Sequence, residues 1–145
     1  MLLLVFSVQA NGFQFKDSTG KIHSLSQYKG QWVIVNFWAT WCPPCLEEIP
    51  DLVSLYENRK DVMVIGIAMD YSDPKVVMEF VESMSISYPT VLGDRRIAAQ
   101  IEDISMLPST YLFDPAGKPA ARKLGLITRD TIEEFIQEKS VDFEK

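Results

Sequence analysis

The chain has 145 residues, 47% hydrophobic and 23% charged, with a formal net charge of -6. That length suits one domain with a full core of its own. The acidic balance, relieved by no basic cluster longer than Arg95-Arg96 or Arg122-Lys123, disfavours a nucleic-acid partner. Two cysteines cannot build the multi-bridge framework of a small secreted domain.

The chain opens on "MLLLVFSVQANG", apolar for eight residues and then polar. Val8-Gln9-Ala10 has the small-residue pattern of a signal-peptidase site, although no basic region precedes it. The run is too short to span a bilayer. Residues 1–11 therefore read either as the remnant of an export signal or anchor or as a buried first strand, and residues 12–145 as the folded domain.

From Gly12 to Gly30 an alternating pattern surrounds the turn signal Asp17-Ser18-Thr19-Gly20, which predicts a hairpin and then a short helical turn. "WVIVNFW", 32–38, is continuous and β-branched, as in a strand covered on both faces. Over 43–58, Leu46, Ile49, Val53 and Tyr56 mark one face of a helix that Pro50 should kink. A second buried strand covers 61–69, and Asp73-Pro74 starts a helix over 75–84. A shorter helix is predicted over 94–103. Strand 109–113, the turn 114–117 and strand 119–124 form a second hairpin, and Thr128 caps a final helix that buries Ile132, Phe135 and Ile136. This order predicts an α/β fold with a mixed central sheet and helices on both faces.

Cys42 and Cys45, in "WCPPC" (41–45), are the only cysteines. A zinc site needs about four ligands, and the sole histidine, His23, falls in a predicted polar hairpin. A c-type haem site needs His after the second cysteine, where this chain has Leu46. A staple over so short a loop restrains little of the unfolded chain. A redox pair fits the setting. Cys42 stands where a buried strand meets a helix N-terminus, whose unpaired N–H groups and dipole favour a thiolate. Such thiols have pKa values of about 3.5 to 7.5, against about 8.5 for free Cys. Cys42 is thus the expected nucleophile and Cys45, nearly one turn further on, the shielded resolving thiol. Pro43 and Pro44 fix φ at positions where a helix spares N–H groups.

The chain resembles the thioredoxin superfamily, and within it the TlpA/ResA/DsbE group of extracytoplasmic proteins. The residues that carry this are "VIVNFWATWCPPC" (33–45), Pro50, "LPSTYLFDPAG" (107–117), "GLIT" (125–128) and the opening 13–21. The resemblance implies a thioredoxin-like fold with an N-terminal hairpin and a central insertion, including a strand and a helix, within 70–104. It implies a cis Leu107-Pro108 bond beside the cysteines, with Leu107, Pro108 and Ser109 meeting an extended substrate alongside Trp41 and Pro43. Thioredoxins carry a buried Asp six residues before the first cysteine, where this chain has Asn36. The group instead has an acid three residues after the second cysteine, here Glu48, placed to exchange a proton with Cys45. Glu47 is expected in solvent and Trp38 in the core.

The function this implies is reduction of protein disulfides outside the cytoplasm, in cytochrome c maturation or a related assembly. The protein would be a monomer, recharged by a membrane thiol reductant and using no cofactor or metal beyond the Cys42–Cys45 disulfide. Three readings compete. A disulfide-forming oxidant shares the same fold. A copper carrier would need a distal histidine, for which His23 is the sole candidate. A peroxidase needs a proline and a hydroxyl residue ahead of its cysteine, a pattern that 36–41 does not supply.

Overall fold

The computed structural model describes residues 12–143, so the alternatives for residues 1–11 lie outside the described residues. β1 (Gln14–Lys16) and β2 (Ile22–Ser24) form an antiparallel hairpin, closed by a 3-10 turn at Leu25–Tyr28. The turn between the strands is organised by Asp17, whose Oδ1 accepts from the N–H groups of Thr19 and Lys21. The hairpin covers the sheet with Phe13 and Phe15, stacked 4.6 Å apart, and Phe13 meets Phe113 edge-on.

β3 (Trp32–Trp38) pairs in parallel with β4 (Val62–Ala68), and β4 with β5 (Thr90–Leu92). On the other side β3 pairs antiparallel with β6 (Ser109–Phe113), and β6 with β7 (Pro119–Leu124). The five-stranded sheet thus has the order β5-β4-β3-β6-β7 and is mixed, as expected. Every residue of β3 and β4 is buried, which is why these two runs are apolar without alternation. One face packs α1 (Pro43–Asn58), α2 (Pro74–Ser83) and α4 (Arg129–Phe143); the other packs the hairpin and α3 (Arg95–Ala98).

Caps behave as the sequence indicates. Asp73 accepts from Lys75 N–H with Pro74 at the first helical position, and Thr128 Oγ1 accepts from Thr131 N–H. The strand expected within 70–104 is β5. The helix expected over 94–103 ends at Ala98, because Gln100 and Ile101 turn their N–H groups to carbonyls three residues back, at Ile97 and Ala98.

Two expectations need correction. The buried stripe of α1 is Cys45, Glu48, Ile49, Leu52 and Leu55, while Leu46, Val53 and Tyr56 are only partly buried. The stripe is displaced because a carboxyl and a disulfide sulfur occupy core positions that hydrophobic spacing does not count. His23 is fully buried instead of lying on a polar surface: its Nε2 meets Asp17 Oδ2 at 2.6 Å and its Nδ1 meets Tyr28 OH at 2.5 Å. The turn aspartate and a tyrosine satisfy both ring nitrogens, and that makes burial affordable.

Candidate active site

β3 ends at Trp38, and four residues later Cys42 is the N-cap of α1. Extended backbone at Cys42 (φ -102°, ψ 104°) turns its sulfur back over the first helical turn, where Sγ accepts from Cys45 N–H at 3.4 Å. Pro43 and Pro44 fill the opening helical positions, where no intrahelical partner exists for an N–H. Both are exposed, as is Trp41. Cys42 and Cys45 form a disulfide with Cα atoms 5.3 Å apart. Cys42 is 4% exposed and Cys45 fully buried, so the first sulfur is the one nearer solvent.

Glu48 lies one turn below Cys45 and is 1% exposed. Its Oε1 accepts from Asn36 Nδ2 at 2.6 Å and its Oε2 from Ile127 N–H at 3.0 Å. Burial pushes the carboxyl up, and these two hydrogen bonds offset only part of that, leaving its pKa at about 7 against the ordinary 4.5. At neutral pH both protonation states are therefore well populated, which suits a group that must take a proton and return it. Glu47 is exposed and Trp38 is in the core, its ring 5.7 Å from Phe80.

The Leu107-Pro108 bond is cis. Leu107 is half-buried, and Pro108 is buried with its carbonyl taken by Gly125 N–H. Ser109 is 1% exposed and donates its hydroxyl to Met106 C=O at 2.6 Å. The Ser109 hydroxyl is thus committed inward, where it braces the loop. A surface pocket joins Trp41 to Met106 and Leu107 of this loop and to Asp70, Arg95 and Ile104 from the segments that follow β4 and β5. Trp41 Nε1 donates to Asp70 C=O at 3.1 Å, and Asp70 holds a left-handed φ of 52°.

Thr110, Ile127 and Tyr88 escaped the sequence reading. Asn36 Nδ2 also donates to Thr110 Oγ1 at 3.0 Å, and Tyr88 is 2% exposed, its phenol pushed up by burial first and by the charge of Glu48 second. Thr110 and Ile127 sit inside "LPSTYLF" and "GLIT", which is the signal that could have found them. Nothing local in the sequence marks Tyr88.

The AhpC/TSA family profile matches residues 7–121. The thiol-disulfide oxidoreductase ResA of Bacillus subtilis is 34% identical over 88% of this chain and 72% of its own length. Among solved structures, a thioredoxin-family thiol:disulfide interchange protein from Chlorobium tepidum superposes with a TM-score of 0.77 at 27% identity, covering 90% of this chain and 94% of that one. A DsbF homologue from Corynebacterium diphtheriae gives 0.76 at 28%, covering 92% and 91%. With a disulfide at a helix start, a buried acid beneath it and a cis-proline loop alongside, the chain belongs to the AhpC/TSA family, as a thiol-disulfide oxidoreductase of the ResA type.

Proposed function

We propose that the protein reduces disulfides in protein substrates outside the cytoplasm, in cytochrome c maturation or a related assembly, with Glu48 as its acid–base group. The observation that carries this is a buried carboxyl with a pKa of about 7 one turn below the shielded cysteine. In the reduced pair, Cys42 thiolate attacks one sulfur of a substrate disulfide. The other sulfur leaves as a thiolate and takes a proton from solvent. Cys45 then passes its proton to Glu48 and attacks Cys42 Sγ, and the second substrate sulfur departs as a thiolate. Two electrons have moved to the substrate, and Cys42–Cys45 is left as the disulfide. A membrane thiol reductant restores the dithiol, and Glu48 returns the proton to Cys45.

Substrate is held as an extended segment along Leu107 and Pro108, between exposed Trp41 and Pro43, with Ser109 keeping the loop in shape. The apolar residues 1–8 and the ResA resemblance support placement outside the cytoplasm. Copper carriage is disfavoured because both ring nitrogens of His23 are committed to Asp17 and Tyr28. Cys45→Ser tests the scheme: it removes the resolving thiol, so a mixed disulfide between Cys42 and a substrate protein should accumulate. Continued turnover by this variant without an adduct refutes the scheme, and a reduction potential near that of dedicated disulfide donors reverses the direction.

A further inference from the structure

Asn36 Nδ2 spends both of its protons, one on Glu48 Oε1 at 2.6 Å and one on Thr110 Oγ1 at 3.0 Å. Its Oδ1 therefore points the other way, buried and with no partner among the described residues. Three more buried polar atoms on the same face share that condition: Tyr88 Oη, Thr90 Oγ1 and Trp38 Nε1. The sheet register brings them together. Asn36, Gly66 and Thr90 are direct partners across β3, β4 and β5, so their side-chain positions form one row. Gly66 leaves the middle position empty, and a Cβ there would lie 2.8 Å from Tyr88 Cε2 and 3.2 Å from Trp38 Nε1. The phenol and the indole thus hang over the same row.

Buried polar atoms are almost always paired, with protein or with an ordered water. The unpaired set has the hydrogen-bonding capacity that one water would satisfy: Trp38 N–H and Tyr88 O–H as donors to it, Asn36 Oδ1 and Thr90 Oγ1 as acceptors from it. The same set resolves a conflict at Glu48. As a carboxylate it accepts from N–H donors at both oxygens, and a proton taken on Oε1 would face the Asn36 amide donor. Reversing the amide presents Oδ1 to that O–H. Thr110 then donates where it had accepted, since a hydroxyl does either.

We propose that Asn36 is the positioning residue for proton exchange at Glu48: its amide reverses as Glu48 gains or loses a proton, while a buried water among Tyr88, Thr90 and Trp38 takes the amide end that Glu48 does not use. In the oxidised protein the titratable group facing Glu48 is Tyr88, from the segment before β5; the cysteine pair, on Glu48's own helix, is a disulfide and carries no titrating proton. β3, β6 and the segment before α4 contribute the neutral Asn36, Thr110 and Ile127 N–H. The proposal rests on Glu48 as the acid–base group, yet it is tested without turnover.

In the oxidised protein the Glu48 carboxyl is titrated by 13C NMR, and nuclear Overhauser contacts of the Asn36 side-chain N–H protons are recorded on either side of the midpoint. Above the midpoint these protons should contact Thr110, and below it the Tyr88 ring. The same contacts on both sides overturn the switch. Tyr88→Phe removes one partner of the water at constant shape, and Thr90→Val removes another. The water holds a different end of the Asn36 amide in each protonation state, so losing one of its partners should shift the proton affinity of Glu48 about three- to tenfold. An unchanged midpoint in both variants overturns the role of the water. Failure here leaves the Cys45→Ser adduct untouched, so the two ideas fail separately.

Discussion

Burying a carboxyl without a cation beside it should make the fold weaker as pH rises, and Glu48→Gln isolates that effect. The carboxyl moves from an ordinary 4.5 to about 7 in the folded chain, a difference of about 3 kcal/mol between its two charge states. Because the folded value is raised, the favourable contribution is complete below about pH 4.5. It shrinks as pH climbs towards 7 and is gone above it. Urea unfolding of wild type and Glu48→Gln at half-unit steps from pH 4.5 to 8 measures this directly. Other titrating groups are common to both proteins, so the stability difference reports position 48 alone. The glutamine pays a fixed cost, since its NH2 cannot accept from both Asn36 and Ile127 as the carboxylate does. Wild type should therefore lose about 3 kcal/mol relative to the variant across the range. A difference that stays constant with pH refutes the claim that Glu48 is held near neutrality by burial.

Asp17 should show the opposite sign. Burial pushes its carboxyl up, but hydrogen bonds from His23, from Thr19 and from Lys21 N–H outweigh it and hold the pKa at about 2, below the ordinary 3.8. The contribution of about 2 kcal/mol is present above pH 4 and lost as pH falls through 2, so the stability gap between wild type and Asp17→Asn should close over that range in urea titrations. A gap that does not move with pH refutes the assignment. Gly93→Ala should cost about 1–3 kcal/mol in thermal or urea unfolding. Its Cβ would sit 2.4 Å from Ile67 Cγ2 and 2.9 Å from Ala68 O, and the Gly93 N–H bond to that same oxygen, at 2.8 Å, keeps the backbone from retreating. A neutral substitution shows that β5 yields more easily than this packing implies.

What could be read from the sequence was whatever local chemistry marks. β3 and β4 were legible as unbroken apolar runs, and the start of α1 as a cysteine followed by two prolines. The Asp73 and Thr128 caps declared themselves by residue type. β5 has only three residues, too few for any period to show, and it exists because β4 offers it an edge. The face of α1 was misjudged because hydrophobic spacing is blind to a carboxyl that the core accepts, and His23 was misplaced because its partners are five and six residues away along the chain. The cysteine pair and Glu48 were found from spacing and resemblance together. Asn36 stands out in the sequence only for what it lacks, a titrating proton, and its contact with Glu48 joins a strand to a helix with no local pattern to mark it.

The pieces that hold Glu48 are spread unevenly along the chain. Asn36 lies 12 residues away from it, but Ile127 lies 79 residues away, just ahead of the last helix. Asp51, on the same helix as Glu48, takes the Arg129 N–H in the same fashion. During synthesis, then, the cysteines emerge long before the segment that completes their acid. A nascent chain ending short of residue 127 carries both thiols with an incomplete proton acceptor, so the proposed cycle becomes available only when the C-terminal segment docks.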